Sequence, residues 1–368
     1  MIPVFSPILS GQEKKNLNLC VDTKWFSSNG YFNNKLEREF SKLVSRKYSS
    51  TVSNGTVALE LALKALNIDK GSEVIVPTFT IISPILAILR CGLKPVLVDM
   101  DLKYWTVNTD QIEEKITKKT RAILVVHTYG FPADMDKILK IKKKYKIFLV
   151  EDAAEMHGQY YKKRPCGSFG DISTFSFYSN KFISAGEGGI LCTNNKILKK
   201  KIDKLRNMSF GKSIRFKHTE LGFNYRMSNI HASIAYSQIN NLQQTIKKKK
   251  DICRLYNKYF SNNKNITILP DSNSYAKNIY WVYGILINKG SKKKIINHLK
   301  LKGIETRDFF VGMHNQPVLR RMKIIKKNDI FPISDYMEKK GFYIPSGPNI
   351  SKKEIKFVAN AINTFFRR

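Results

Sequence analysis

The chain has 368 residues, of which 64 are lysine or arginine and 29 are aspartate or glutamate, so its formal net charge is +35. This length can bury a large core and predicts two domains. No apolar run approaches the roughly 20 residues of a membrane span, and six scattered histidines argue against a metal site. The five cysteines lack CxxC or metal-ligand spacing, and with no secretory leader they favour a reducing cytoplasm.

The first clear structural unit is a strand at 48–52, a Ser-Asn-Gly-Thr turn at 53–56 and a helix that runs to residue 66. Backbone N–H groups in the first helical turn have no intrahelical partner, and glycine lets an anion approach them closely. Gly55 and Thr56 are therefore candidate phosphate ligands. Alone, such a unit is weak evidence, since many α/β proteins contain one.

Strand-like runs follow at 73–76, 94–98, 122–127, 147–150, 172–177 and 189–192, with amphipathic stretches such as 134–145 between them. This alternation predicts a mostly parallel sheet with helices on both faces. Asp152 comes just after the fourth run and is expected at the carboxyl edge of the sheet, where α/β proteins form ligand sites. A carboxylate there suits the ring nitrogen of pyridoxal phosphate; a helix N-cap is the alternative role.

Lys181 ends the segment Ser-Phe-Tyr-Ser-Asn-Lys at 176–181, between a predicted strand and the glycines at 186, 188 and 189. A lysine held there on rigid backbone is a candidate Schiff-base lysine, and Ser176 is a further candidate hydroxyl donor to a phosphate. A solvated loop lysine is the alternative. The order of phosphate turn, ring carboxylate and lysine favours pyridoxal phosphate over that alternative.

The rest of the chain predicts a smaller α+β portion. A long helical span covers 227–259, a strand 281–287, a helix 292–302, a loop 307–317 and a final helix 352–366. We therefore predict a large domain at 1–245 and a small domain at 246–368, with the extreme N-terminus packed on the small domain.

Many ordered segments together resemble the DegT/DnrJ/EryC1/StrS sugar aminotransferases, a branch of the fold-type-I pyridoxal-phosphate enzymes. The matching segments lie at 2–4, 25–30, 53–59, 76–80, 127–130, 151–155, 167–171, 176–181, 186–189 and 222–227. The resemblance covers almost the whole chain. It implies an α/β fold with a large domain built on a mostly parallel sheet and a smaller C-terminal α+β domain.

The resemblance also implies roles for individual residues. Lys181 would form the Schiff base, Asp152 would pair with the ring nitrogen and Glu155 would lie beside the ring hydroxyl. The phosphate would be held by Gly55, Thr56 and Ser176, together with Asn224 from the partner subunit of a homodimer. One departure stands at Ile81, where relatives place an aromatic residue over the cofactor ring; Phe79 is the alternative for that place.

Relatives that replace the lysine by histidine are sugar dehydratases, so Lys181 favours amino transfer. A lysine can both bind the cofactor and move the proton at the substrate carbon, whereas histidine can do only the second. The implied cycle is ping-pong, with glutamate as the amino donor and a keto sugar as the acceptor.

Substrate choice is predicted from the segment at 306–317, which resembles that of GDP-perosamine synthases. Together with Trp25 and Ser27 in 25–30, it points to amination at carbon 4 of GDP-4-keto-6-deoxymannose, giving GDP-perosamine for a surface glycan such as O-antigen. His314 would contact the sugar or assist proton transfer, and Arg307 would meet phosphate. A dTDP- or UDP-linked keto sugar, aminated at carbon 4 or carbon 3, is the alternative.

The charge of +35 indicates a rival class, because so large a positive field attracts nucleic acid. The lysine runs at 142–144, 199–201, 247–250 and 292–294 are expected to form solvated helix faces, and no nucleic-acid-binding motif accompanies them. A non-catalytic cofactor-binding or nucleic-acid-associated regulator remains the alternative of another class.

Overall fold

A computed structural model describes residues 1–211, 213–326 and 329–367. The strands are β1 Tyr48–Val52, β2 Glu73–Pro77, β3 Lys94–Val98, β4 Met100–Asp101, β5 Thr106–Val107, β6 Thr120–Val126, β7 Phe148–Asp152, β8 Tyr160–Tyr161, β9 Arg164–Pro165, β10 Ile172–Ser176, β11 Gly189–Thr193, β12 Ile266–Ile268, β13 Tyr283–Ile287, β14 Arg307–Asp308 and β15 Gly341–Ile344. The α helices are α1 Gln12–Asp22, α2 Tyr31–Leu43, α3 Gly55–Leu66, α4 Ser83–Arg90, α5 Thr109–Glu114, α6 Met135–Tyr145, α7 Lys196–Arg206, α8 Asn229–Gln238, α9 Leu242–Phe260, α10 Lys292–Leu301, α11 Pro317–Arg321, α12 Pro332–Lys340 and α13 Lys352–Phe365.

The larger sheet has the strand order β1-β11-β10-β7-β6-β2-β3. Strand β11 runs antiparallel to both of its neighbours, and the pairings from β10 to β3 are parallel. Successive residues of a strand point to opposite faces, and both faces of this sheet are buried. Val74 and Val76 thus belong to the buried cluster that includes α3, whereas Ile75 belongs to the cluster on the other face, which includes residues of α2 and α8. The predicted α/β fold class is confirmed.

A second, antiparallel sheet has the order β12-β13-β15-β14 and shares a core with α9, α10 and α13. The N-terminus joins this part of the molecule, because Ile2 N donates to Gly303 O at 2.7 Å and Ile2 pairs with Ile304. The division into domains at residue 245 stays a prediction. No helix in the described part of the chain combines the length and apolarity that a bilayer crossing needs.

Two expectations about the helices are wrong in detail. The span at 227–259 is not one helix, since a 3₁₀ turn at Ile239–Asn241 separates α8 from α9. The lysine run at 247–250 is not wholly solvated either. Lys247 and Lys248 are exposed, but Lys249 is only 1% exposed because it lies on the face of α9 that carries the buried Ile246 and Cys253.

Candidate active site

A cavity of about 570 Å³ opens where the central parallel strands end, and we call it the central cavity. Its floor comes from the carboxyl ends of β7 and β10 and from residues that follow β2 and β6, which is where α/β sheets place ligands. Of the residues predicted from sequence, it is lined by Gly55, Thr56, Asp152, Glu155, Ser176, Lys181 and Arg307. The structure therefore brings together residues that lie up to 252 positions apart in the chain.

The turn before α3 is shaped to receive an anion. Asn54 has extended backbone, and its side chain accepts a hydrogen bond from Val57 N at 3.0 Å, which caps the helix. The N–H groups of Gly55 and Thr56 lie ahead of that bond in the first turn, where intrahelical acceptors are lacking. A Cβ on Gly55 would lie 2.9 Å from the Ser176 Cβ, so only glycine lets α3 come this close to β10.

Asp152 and Glu151 are adjacent on β7, so their side chains point to opposite faces of the sheet. Asp152 faces the central cavity and is buried, and its Oδ1 accepts a hydrogen bond from Ala154 N at 3.1 Å. Burial raises the pKa of Asp152, although Ala154 N–H and the charge of Lys181 oppose this. A protonated ring nitrogen would supply the close cationic partner that this carboxylate lacks among the described residues.

The Lys181 amine is held between a carboxylate and an aromatic face. Its Nζ lies 3.9 Å from Glu155 Oε1 and 4.0 Å from the centre of the Trp281 ring. Burial lowers the pKa of Lys181, with Glu155 and Asp152 opposing it. Burial also raises the pKa of Glu155 to about 7, opposed by Lys181 and by Tyr129 N, which donates to Oε2 at 2.8 Å. A lowered lysine pKa increases the neutral, nucleophilic fraction of the amine.

Glu151, on the opposite face from Asp152, is fully hydrogen-bonded. It accepts from three backbone N–H groups of residues 167–170 and from His127 Nε2 at 3.2 Å. Burial alone would raise the pKa of Glu151, but His127 and these backbone donors lower it. Ala133 N donates to His127 Nδ1, which leaves the His127 proton on Nε2. Cys166 completes a group whose ligand atoms lie within 4.8 Å of one another, yet two of the three are already engaged in hydrogen bonds.

Ile81 and Phe79, the two residues that the sequence offers as cover for the cofactor ring, differ in their exposure. Ile81 is 54% exposed and lines the central cavity, whereas Phe79 is fully buried against Tyr129 and Phe310. Aliphatic contact from Ile81 is thus available to a ring in the cavity, and aromatic stacking from Phe79 is not.

Four residues predicted for substrate or cofactor contact lie outside the central cavity. Trp25 and Asn224 are exposed, and the backbone of Ser27 is fixed by Asn229 N, which donates to Ser27 O at 3.0 Å. Their predicted roles stay predictions. For Asn224, the resemblance assigns a contact in the partner subunit, for which an exposed position is required.

His314 is the fourth, and its side chain is buried between Thr78 and Asp335. It is 4% exposed, with Nδ1 2.7 Å from Thr78 Oγ1 and Nε2 2.8 Å from Asp335 Oδ1. Partial burial would raise the pKa of Asp335, but the hydrogen bonds from His314 and Asn315 lower it. Both ring nitrogens are engaged in these contacts, and the predicted contact with the sugar stays a prediction. Arg307, in contrast, does line the cavity and pairs with Glu305 at 3.3 Å.

Sequence reasoning missed Trp281, whose ring faces Lys181. Its Nε1 donates to Asn180 O at 3.1 Å, which fixes the indole beside the lysine. The only signal was a tryptophan at the start of the predicted strand at 281–287, where an apolar residue is expected in any case. Its place in the cavity arises from packing between parts of the chain about 100 positions apart.

The residues present fit pyridoxal phosphate. A helix N-terminus with a required glycine suits the phosphate, a buried carboxylate suits the ring nitrogen, and a buried amine suits the aldehyde carbon. Among the described residues, the buried Thr174 Oγ1 at the cavity wall has no hydrogen-bond partner, so a polar ligand atom can satisfy it.

Comparison with known proteins extends these observations over the whole chain. The model of the DegT/DnrJ/EryC1/StrS aminotransferase family matches residues 7–363. A GDP-perosamine synthase of Escherichia coli O157:H7 is 39% identical over 99% of this chain and 98% of its own length. A dTDP-3-amino-3,6-dideoxy-alpha-D-galactopyranose transaminase of Aneurinibacillus thermoaerophilus is 31% identical over 95% and 94%.

Solved structures of aminotransferases share this fold. The aminotransferase PseC of Helicobacter pylori, involved in the biosynthesis of pseudoaminic acid, superposes with a TM-score of 0.94. The superposition covers 100% of this chain and 99% of that one at 20% identity, a level at which it supports the fold alone.

Proposed function

Because the chain belongs to the DegT/DnrJ/EryC1/StrS aminotransferase family, we propose that it moves the amino group of glutamate to carbon 4 of a nucleotide-linked 4-keto-6-deoxyhexose. The substrate is GDP-4-keto-6-deoxy-D-mannose and the product is GDP-perosamine. The observation that carries this choice is the 39% identity, over nearly the full length of both chains, with a GDP-perosamine synthase.

The enzyme class itself rests on firmer ground: the chain is a pyridoxal-phosphate-dependent nucleotide-sugar aminotransferase. Bound pyridoxal phosphate supplies an electron-accepting ring that carries the amino group from donor to acceptor. We assign the phosphate to Gly55, Thr56 and Ser176, and the ring nitrogen to Asp152. Glu155 then lies beside the ring hydroxyl, where its contact with Tyr129 N orients it.

Lys181 has two tasks in this proposal. Its neutral amine would hold the cofactor, and the same amine, when free, would take and return the proton at the substrate carbon. The side chain is confined for both tasks, because Glu155 and Trp281 border its Nζ and Tyr178 O accepts from its backbone N–H at 2.9 Å. Such confinement supports amino transfer over the non-catalytic alternative.

We further propose a homodimer in the cytoplasm, with Asn224 completing the phosphate site of the partner subunit. The exposed position of Asn224 supports the shared site. The five cysteines are buried free thiols, which suits a reducing compartment.

One observation favours a second substrate class. The dTDP-sugar transaminase is 31% identical over nearly the full length of both chains, so a dTDP- or UDP-linked keto sugar, aminated at carbon 4 or carbon 3, is the alternative acceptor.

The test is mass spectrometry of the purified enzyme with pyridoxal phosphate, glutamate and, in parallel, the GDP-, dTDP- and UDP-linked 4-keto-6-deoxy sugars. We expect an amino-sugar product from the GDP substrate alone and none from Lys181→Ala, with the exposed-lysine variant Lys200→Ala as the matched control. Product from another nucleotide sugar overturns the substrate and keeps the chemistry. No product from any acceptor, or an active Lys181→Ala variant, contradicts the proposed function.

A further inference from the structure

A second, smaller cavity of about 120 Å³ adjoins the central cavity, and we call it the side chamber. The two share the lining residues Tyr178, Asn180, Trp281, Arg307 and Tyr343. None of the residues assigned to the cofactor phosphate lines the side chamber. It is therefore a compartment adjacent to the central cavity, and it is separate from the phosphate site.

Lys249 is the unusual member of the side chamber. It is buried, and its Nζ donates to Ser346 O at 2.5 Å and to Ser346 Oγ at 2.7 Å. An ammonium group has three donors, so one remains. Both acceptors are neutral, and a buried charge without a charged partner is costly. Burial lowers the pKa of Lys249 to about 8, which leaves the ammonium form in the majority at neutral pH.

The charged side chains that line the side chamber favour the binding of one anionic group. Arg307 and Glu305 are the other charged side chains that line it, and they pair with each other at 3.3 Å. Glu305 also accepts from Val4 N at 2.9 Å, so its carboxylate is already engaged. The lining thus carries a net charge of about +1 that is centred on Lys249, and a single carboxylate would balance it.

We propose that the side chamber binds the distal carboxylate of the amino donor, with Lys249 as its ligand. The inference rests on the proposed function, in which glutamate is the donor. Glutamate reacts at its α-carbon in the central cavity and carries its second carboxylate on a short methylene chain. Trp281 and Arg307 line both cavities, so they mark the side on which this chain would leave the central cavity. A terminal group suits a small side compartment, whereas a diphosphate joins two bulky substituents and needs an opening at each end.

The site would act in donor choice. A donor with a second carboxylate gains a hydrogen bond to a charged group, and a donor without it leaves Lys249 uncompensated. Lys249 is a binding residue in this scheme and takes no part in proton transfer.

The test is calorimetric titration of the cofactor-loaded enzyme with glutarate, which has both carboxylates and no amino group, and with pentanoate, which has one. We expect glutarate to bind more tightly than pentanoate. Lys249→Met should weaken glutarate about tenfold or more, the loss of one hydrogen bond to a charged group, and leave pentanoate unchanged. Lys249→Arg should keep most of the affinity, and Lys248→Met, an exposed lysine on the same helix, is the matched control.

Three results would overturn the proposal. These are equal binding of glutarate and pentanoate by the unaltered enzyme, unchanged glutarate binding in a folded Lys249→Met variant, or an equal loss of glutarate affinity in the control variant Lys248→Met. The first comparison needs no variant, so it can overturn the proposal even if Lys249→Met does not fold. No arm uses a sugar substrate, so a wrong choice of acceptor leaves this test intact.

Discussion

The Lys181 amine lies 4.0 Å from the centre of the Trp281 ring, so an indole face forms one wall of the lysine's surroundings. The face of an indole attracts a cation, whereas burial favours the neutral amine. We therefore expect Trp281 to offset part of the burial effect that lowers the pKa of Lys181, in addition to the opposing effect of Glu155 and Asp152. It acts on the reaction through the lysine, as a positioning residue.

Replacing Trp281 tests this relationship. Trp281→Leu should move the pH midpoint of the absorbance change of the lysine-bound cofactor downward by about 0.4–1.5, the equivalent of the roughly 0.5–2 kcal/mol of a desolvated cation–π contact. Trp281→Phe keeps an aromatic face and should move it less. Spectrophotometric titration of both variants gives the answer, and equal midpoints in the two would contradict the role of the ring.

The helix cap at Asn54 should affect both stability and cofactor binding. Asn54→Ala removes the bond from Val57 N, which costs about 0.5–2 kcal/mol of stability, and it loosens the turn assigned to the phosphate. Asn108→Ala removes an equivalent cap from α5, which does not line the central cavity. Urea unfolding should show similar losses in both variants, and fluorescence titration should show weaker pyridoxal-phosphate binding only in Asn54→Ala. Equal cofactor affinity in the two variants would refute the assignment of the turn.

Glu155 should make the stability of the cofactor-free protein depend on pH. Its pKa rises from 4.5 in the unfolded chain to about 7 in the folded protein. Between these values the folded protein keeps a proton that the unfolded chain has released, so the free energy of unfolding falls as the pH rises through this window. Glu155→Gln does not titrate. The stability of the unaltered protein relative to this variant should therefore decline from about pH 4.5 to 7, as measured by urea unfolding. A flat difference would show that the carboxyl titrates normally, and a rising difference would show that folding lowers its pKa; either result contradicts the prediction.

His314 should behave as a structural link between the end of β2 and α12. His314→Ala leaves Thr78 and Asp335 without their shared partner, and we expect a loss of about 1–3 kcal/mol in the free energy of unfolding. The exposed-histidine variant His218→Ala is the control. Unchanged stability with a raised KM for the sugar nucleotide would instead support the sugar contact predicted from sequence.

The sequence predicts well the position of those site residues that lie at the end of a strand or at the start of a helix. Asp152 and Ser176 end apolar strand runs, and Gly55 opens a helix, so the pattern of neighbouring residues is enough to place each of them at the carboxyl edge of the sheet. Trp281 could not be placed in this way, because its contact with Lys181 joins two segments that are distant in the chain.

Lys249 is an intermediate case. It was hidden in a run of identical residues, yet its spacing from Ile246 and Cys253 puts it on the apolar face of α9. Helical periodicity could therefore have separated it from Lys247 and Lys248. A histidine in a loop is a candidate for a ligand contact or for proton transfer, and the sequence around His314 does not distinguish these roles from a structural one. Its two hydrogen-bond partners, Thr78 and Asp335, are 236 and 21 positions away, so their contacts with His314 could not be predicted from local sequence.

The neighbours Glu151 and Asp152 make the alignment of β7 a functional requirement. A slip of one residue against β6 and β10 would turn Glu151 toward the central cavity and bury Asp152 among the backbone donors of residues 167–170. Hydrophobic residues on this strand face helices on both sides, so packing alone would resist such a slip only partly. The hydrogen bonds that hold Glu151 thus help to fix the register of β7. Single-residue insertions or deletions in this strand should abolish activity even where the sheet still forms.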